Sequence, residues 1–330
     1  GEYYADLIAQ LAAVGETELG YRRAGALLVT RDSEELDWIE RLVVRRRAGA
    51  PAMGSVTRVT PEEARALFPP LGPDFGGIHL TGGARVDGRL LAAALLRTAQ
   101  HHGAIVRQGH AELLVEDGRI RGVELHGESS GERRSADRTS PDRIPADRVI
   151  LTAGAWVDRV LRPLGLALQI EPQRGQIVHL RLEGVATEDW PVILPPGSHY
   201  IVPFDGGRIV AGATRESGAG FDYRVTAAGQ AEVLSEALGV APGLGTATMI
   251  ETRVGFRPVP SEVRPLLGWA PSVEGLAVGN GLGAAGLTIG PLAGRLLADV
   301  VLGRTGLLDL APFDPARRGG QGADPPTVLR

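Results

Sequence analysis

Residues 275–290, GLAVGNGLGAAGLTIG, restrict the fold more than any other stretch of the chain. A short apolar strand, a glycine turn and the start of an apolar helix follow one another with no room for a loop. Such a segment has one stable solution, a βα unit whose helix packs back on its sheet. Gly281-Leu282-Gly283-Ala284-Ala285-Gly286 is also literally GxGxxG. As a dinucleotide fingerprint that pattern opens a βαβ unit, with a second strand ending in an acidic residue about 20 positions on. Here a single helix, 287–302, and a Gly-, Pro- and Arg-rich tail remain. The turn is therefore not expected to be a primary pyrophosphate site. Two readings stay open: a helix N-terminus that meets another anionic or carbonyl group, or a tight turn that lets the helix pack closely.

Some 25 residues earlier lies Met249–Pro265, MIETRVGFRPVPSEVRP. A strand over 246–256 is expected to deliver Arg257 into a fixed turn. Pro258 restricts Arg257 to extended backbone, and Gly255 leaves space on one side. A guanidinium held in this way presents a fork that matches a carboxylate. The competing reading is a structural arginine at a strand end.

Composition removes several function classes. The 330 residues are 43% hydrophobic, enough for two domains or one large α/β unit. A net charge of −4 with both signs mixed gives no electrostatic case for nucleic acid. The absence of cysteine excludes disulfides and thiolate metal sites, and it fits a reducing cytoplasm. No run of about 18 apolar residues is present, so no membrane span is expected. His101 and His102 close a helix, where they serve its dipole; no third ligand is spaced to make a metal site.

Helical spacing covers 2–14, 34–47 with Ser33 as cap, 89–102 after Asp87, 226–238 and 287–302. Thr60-Pro61-Glu62-Glu63 is a helix start with Thr60 as N-cap and Glu63 at N3. Extended segments fall at 21–30, 75–80, 104–107, 149–151 and 170–182. Hairpins are expected at 111–125, around Glu116-Asp117-Gly118-Arg119, and at 198–214, around Asp205-Gly206-Gly207. Residues 128–147 lack apolar periodicity and read as a surface loop; 314–330 read as a disordered tail. Alternating strands and helices, with antiparallel strands in the middle, imply a mixed α/β and α+β fold.

These segments together resemble the D-amino-acid oxidase family of flavoproteins, which includes glycine oxidases and D-amino-acid dehydrogenases. The resemblance rests on Arg253-Val254-Gly255-Phe256-Arg257-Pro258 and the strand–turn–helix after it. It also rests on Gly103-Ala104, Glu116-Asp117-Gly118, Val149 to Trp156, Arg174-Gly175-Gln176, Tyr200-Ile201-Val202-Pro203 and Val210 to Thr214, in the family's order. It extends to about Leu302. Leu282 stands where the family often has a histidine, and Ala284 lacks the basic side chain that some members carry.

The resemblance implies FAD as cofactor and a small amino acid or amine as substrate. It implies a Rossmann-like FAD-binding domain from 1–20, 88–165 and 271–310, interleaved with a mostly antiparallel substrate or cap domain from 21–87 and 166–270. Arg257 would pair with the substrate carboxylate and Tyr200 would hold the substrate by its hydroxyl. Gly281, Gly283, Ala284, Ala285, Gly286, Leu287 and Thr288 would face the flavin ring, Ala153, Gly154 and Trp156 would approach it from the sheet edge, and His110 would lie at the adenine. No side-chain base is expected at the α-carbon. The family opens with a strand, GxGxxG and a helix that hold the ADP half of FAD; the residues from Gly1 resemble a later helix of that fold. The FAD-binding domain is therefore expected to be incomplete at the N-terminus, with weak FAD binding by the chain alone. Two functions follow: an FAD-dependent amine or amino-acid oxidoreductase, or a non-catalytic remnant of that fold.

Overall fold

The computed structural model describes residues 2–127 and 141–317. In chain order the elements begin with α1 (Glu2–Ala13), β1 (Ala26–Thr30), α2 (Ser33–Arg47), β2 (Val56–Val59), α3 (Pro61–Leu67), β3 (Gly76–Leu80) and α4 (Gly88–His101). Next come β4 (His110–Glu116), β5 (Arg119–His126), β6 (Asp142–Pro145), β7 (Val149–Leu151), α5 (Val157–Leu161) and β8 (Ile170–Arg181). The chain continues through β9 (Val192–Leu194), β10 (Tyr200–Pro203), β11 (Arg208–Gly212), α6 (Ala227–Val240), β12 (Thr248–Pro260), β13 (Leu266–Trp269), β14 (Leu276–Asn280) and α7 (Gly286–Leu302). Contacts divide the described residues into two units. The first takes those up to Thr98 and Arg174–Phe256; the second takes Ala99–Gln173 and those from Arg257 onward.

The first unit is built on an eight-stranded sheet in the order β12-β8-β11-β10-β9-β1-β3-β2. Side chains alternate across it. Leu27, Val29, Val178, Ile201, Ile209 and Ala211 point to one face, where Val233 and Ala237 of α6 and Phe68 after α3 complete the core. The intervening residues point to the second face. At the β1–β3 end that face is covered by α2 through Leu36, Ile39 and Val43. Toward β8, β10 and β11 it carries His179, Tyr200, Arg208, Val210 and Gly212. Helix starts follow capping chemistry. Thr60 and Glu63 form the expected reciprocal capping box. Asp32, not Ser33, caps α2: its carboxylate accepts from the Glu34 and Glu35 N–H groups, a stronger acceptor than a hydroxyl.

The second unit contains two three-stranded sheets, β13-β14-β7 and β4-β5-β6. Its core gathers Ile120, Leu151, Val157, Leu161, Leu276 and Val278. The β4–β5 turn has Asp117 and Gly118 both at positive φ, 50° and 72°, the hairpin turn that the sequence asked for.

Several expectations are corrected. Residues 104–107 form no strand; Ile105 is 82% exposed, so the segment has apolar character without a partner. Of the expected 128–147 loop, 128–140 lie outside the described residues, and Asp142–Pro145 is an edge strand paired with β5. An edge strand needs little apolar alternation, and it tolerates a terminal proline. Of the expected tail, 318–330 lie outside the described residues, whereas Arg317 pairs with Glu262 at 3.1 Å. The segment Gly283–Leu302 is long and apolar enough to cross a membrane by length and composition, against the expectation of none. It packs Ala293, Leu296 and Leu297 inward, and it contains an Arg295–Asp299 ion pair at 3.0 Å.

Phe68 is fully buried, with its ring edge-on to Trp190 at 5.1 Å between centroids. Phe68→Ala is expected to cost the first unit about 3–5 kcal/mol, read as a lowered urea midpoint; an unchanged midpoint would contradict this packing.

His179 is buried, and its Nε2 has no hydrogen-bond partner among the described residues. Burial holds its pKa below the ordinary 6.5; Arg253 and Arg208 push the same way, against Glu251 and Asp87. Burial also lowers His79. A lowered folded pKa means that the unfolded chain takes the proton first, so stability present above pH 6.5 is lost as pH falls through the folded values. The urea midpoint is expected to fall between about pH 6.5 and 5, before the carboxylates titrate. A flat midpoint over that window would show that these histidines are not desolvated.

Candidate active site

In the second unit β14 runs parallel to β7, with Leu276 beside Val149 and Val278 beside Leu151. Parallel strands end at the same edge, which is where open α/β sheets bind ligands. Each strand here runs into a glycine turn: Gly154 after β7, at φ 53°, and Gly281 and Gly283 after β14, at φ 72° and 52°. Asn280 joins the two turns. Its Nδ2 donates to the Gly154 carbonyl at 2.9 Å and its Oδ1 accepts from the Gly281 N–H at 2.7 Å. The Asn280 side chain is buried, so both bonds are made away from water.

The glycines around this edge do two different jobs. A Cβ at Gly279 would come within 2.8 Å of Leu297, and one at Gly281 within 3.2 Å of Pro260. Those two permit close packing of α7 and of the end of β12. A Cβ at Gly154, Gly283 or Gly286 would meet nothing within 4 Å. The backbone there borders open space. Ala284, Ala285, Leu287 and Thr288 are exposed beside it, and Ala285 caps α7 with no side-chain bond. Trp156 and Leu287, 37% and 50% exposed, add large apolar surface to the two turns. Ala153 is half-buried and packs against the core beneath β7.

Arg257 is half-buried and lies inside β12, which runs on to Pro260. The expected strand end at Phe256 is thus corrected. β12 is the last strand of its sheet, and an edge strand can carry Pro258 because one side needs no N–H donor. Three residues beyond Arg257, Pro260 abuts Gly281. The Arg257 strand is thus led directly onto the glycine turn within this unit. The next segment is tied down by Arg317, whose guanidinium donates to the carbonyls of Arg264 and Pro265. His110 opens β4 well exposed, and its polar and ring contacts are with Glu112 and His126 of its own hairpin.

In the first unit Tyr200 lies on the second sheet face, opposite Gly212 in register. A Cβ at Gly212 would sit 2.9 Å from the Tyr200 hydroxyl, so this glycine gives the ring its place. The strand beside it is held by a buried polar network. Arg174 pairs with Glu216 and, at 2.8 Å, with Asp222. Gln176, fully buried, donates to Glu216 at 2.8 Å and to Thr226 at 2.9 Å, and Thr214 donates to Glu216 at 2.7 Å. Burial pushes the Glu216 pKa up, but the hydrogen bonds from Gln176 and Thr214 and the Arg174 guanidinium outweigh it and hold the group ionised. Asn280 and this network were absent from the sequence reading; the Asn inside Gly279-Asn280-Gly281 was the available signal for the first.

A family model described as DAO, FAD dependent oxidoreductase, matches residues 1–300. The uncharacterized oxidoreductase YurR of Bacillus subtilis (strain 168) is 47% identical over 95% of this chain and 81% of that protein. The chain belongs to this family of FAD-dependent oxidoreductases. Among solved structures, iminodiacetate oxidase (IdaA) from Chelativorans sp. BNC1 is 52% identical, with a TM-score of 0.88, over 95% of this chain and 81% of that one. Glycine oxidase from Geobacillus kaustophilus is 28% identical, with a TM-score of 0.81, over 96% and 81%. These likenesses support the mixed α/β fold and favour an oxidoreductase over a non-catalytic remnant. The residues at the glycine turns fit FAD. They offer positive-φ backbone bordering open space, a helix N-terminus without a side-chain cap and apolar flanks, the features that a flavin ring edge requires.

Asn280→Ala removes the bond between the turns and leaves the Gly154 carbonyl without its donor. FAD affinity is expected to fall about 10- to 100-fold, read by fluorescence titration; unchanged affinity would separate the clamp from cofactor binding.

Proposed function

We propose that the protein oxidises the C–N bond of a small α-amino acid or N-substituted amino acid. The observation that carries this reading is the half-buried Arg257 on a strand led onto a glycine turn that borders open space. The likeness to iminodiacetate oxidase and glycine oxidase supports the substrate class, a carboxylate one carbon away from an amine. When bound, FAD supplies the two-electron acceptor for the hydride that leaves the substrate α-carbon, while the amine proton is lost and the C–N bond becomes an imine that water splits.

Arg257 takes the substrate carboxylate as a bidentate fork and so fixes which C–H bond is presented. The Tyr200 hydroxyl holds the substrate by a hydrogen bond. The backbone over Gly281, Gly283, Ala284, Ala285, Gly286, Leu287 and Thr288 would hold the flavin ring, and the α7 N-terminus there would favour negative charge on it. Ala153, Gly154 and Trp156 line the other turn, and His110 keeps its place at the adenine end by resemblance. No side chain is assigned as a base at the α-carbon. A chain without cysteine suits a reducing cytoplasm.

The test is anaerobic addition of iminodiacetate, glycine or sarcosine to FAD-loaded protein, followed by loss of the flavin absorbance. Bleaching by at least one is expected; none would defeat the reading. Arg257→Ala is expected to raise KM about 100-fold with a smaller change in kcat. An unchanged KM would remove Arg257 from the site.

A further inference from the structure

Arg257 stands on a stretch of β12 that backbone pairing holds only weakly. β12 is the last strand of its sheet, so one side of it has no neighbouring strand among the described residues. Gly255 has no side chain to pack, and a Cβ there would meet nothing within 4 Å. Pro258 and Pro260 have no N–H to give to a ladder. The direction in which Arg257 leaves the strand therefore needs a restraint from side chains. Phe256, the residue before it, has one. Phe221 packs against its ring at 5.2 Å between centroids, and Tyr223 meets it edge-on at 4.8 Å. Both separations lie in the range where aromatic pairs attract.

The two rings are themselves anchored. Asp222 lies between them in sequence, and Arg174 donates to its carboxylate at 2.8 Å. The Arg174 side chain is 9% exposed and is also paired with Glu216 in the buried network. Arg224 donates to both oxygens of the Asp222 carboxylate, each at 2.9 Å. The network of the sheet thus fixes residue 222, and residues 221 and 223 carry that restraint to Phe256. Arg257 follows Phe256 in one strand, and alternation sends its side chain to the opposite side, clear of the rings. We propose that Phe221 and Tyr223 are positioning residues for the substrate carboxylate: their grip on Phe256 sets the line along which Arg257 reaches it. This rests on the role of Arg257 proposed above. A loop that only covered the sheet edge would be served by the Asp222 bonds. It would not need to lay Tyr223, 63% exposed, against Phe256.

The test uses FAD-loaded protein and whichever of iminodiacetate, glycine and sarcosine bleaches it. Tyr223→Ala, at an exposed position, is expected to raise KM about 10-fold with kcat changed less than about 2-fold, and Phe221→Leu to act in the same direction. Tyr223→Phe keeps the ring and should keep the KM of the unmodified protein. The decisive comparison is made in the Arg257→Ala background. There Tyr223→Ala should change kcat/KM less than about 2-fold, because the residue it positions is gone. A second readout needs no turnover: the Kd of acetate, read from the flavin spectrum, should rise about 10-fold in Tyr223→Ala. A lowered urea midpoint with KM unmoved in both Tyr223→Ala and Phe221→Leu would mark a purely structural loop and overturn the assignment. So would a loss that persists in full in the Arg257→Ala background, or one that Tyr223→Phe reproduces. Each of these leaves amine oxidation standing. Protein bleached by none of the three amines would remove both.

Discussion

Parallel pairing of β7 with β14 is the constraint on which the candidate site depends. An antiparallel pair would send the two following turns to opposite edges. The parallel pair sends both to one edge, and a single buried amide can then bridge them. Asn280 does so with its donor to one turn and its acceptor to the other. Asp or Leu at this position could not supply both. The spacing of the turns is thereby fixed by the sheet, and the loops have little freedom to set it themselves.

The first unit solves a different problem. Its sheet packs one face against α6 and, at the β1–β3 end, the other against α2, so the polar residues toward β8 and β11 need support from within the fold. The Arg174–Gln176–Thr214–Glu216 network sits on the α6 side and meets that need. A half-buried carboxylate is tolerated there because three donors surround it. The sheet also sets where small residues are required. Gly212 carries no side chain because the Tyr200 ring crosses above it.

Much of this was readable in advance where chemistry is local. The Thr60 capping box, the Asp117-Gly118 turn and the strand–glycine–helix at 275–290 each depend on neighbours in sequence, and each is present. Readings failed where a distant partner decides. Residues 104–107 have strand composition and pair with no strand, whereas Asp142–Pro145 have poor composition and a partner in β5. The sequence reading ends the Arg257 strand at Phe256, ahead of Pro258, because an edge strand's tolerance of proline cannot be seen without the sheet order. Asn280 and Glu216 were missed for a related reason. Their partners lie 126 and 40–42 residues away, and no spacing rule connects them.

Gly286 sets two demands on the protein against each other. It has ordinary helical angles, φ −51° and ψ −47°, and a side chain there would meet nothing within 4 Å. Neither backbone strain nor packing requires glycine at that position. Alanine would make a better helix by about 1 kcal/mol. A protein selected for stability alone would drift toward alanine there. Retaining glycine leaves α7 weaker at its first turn and keeps its backbone approachable, so on the proposed placement of the flavin this residue would be one where thermal robustness and cofactor access cannot both be maximised.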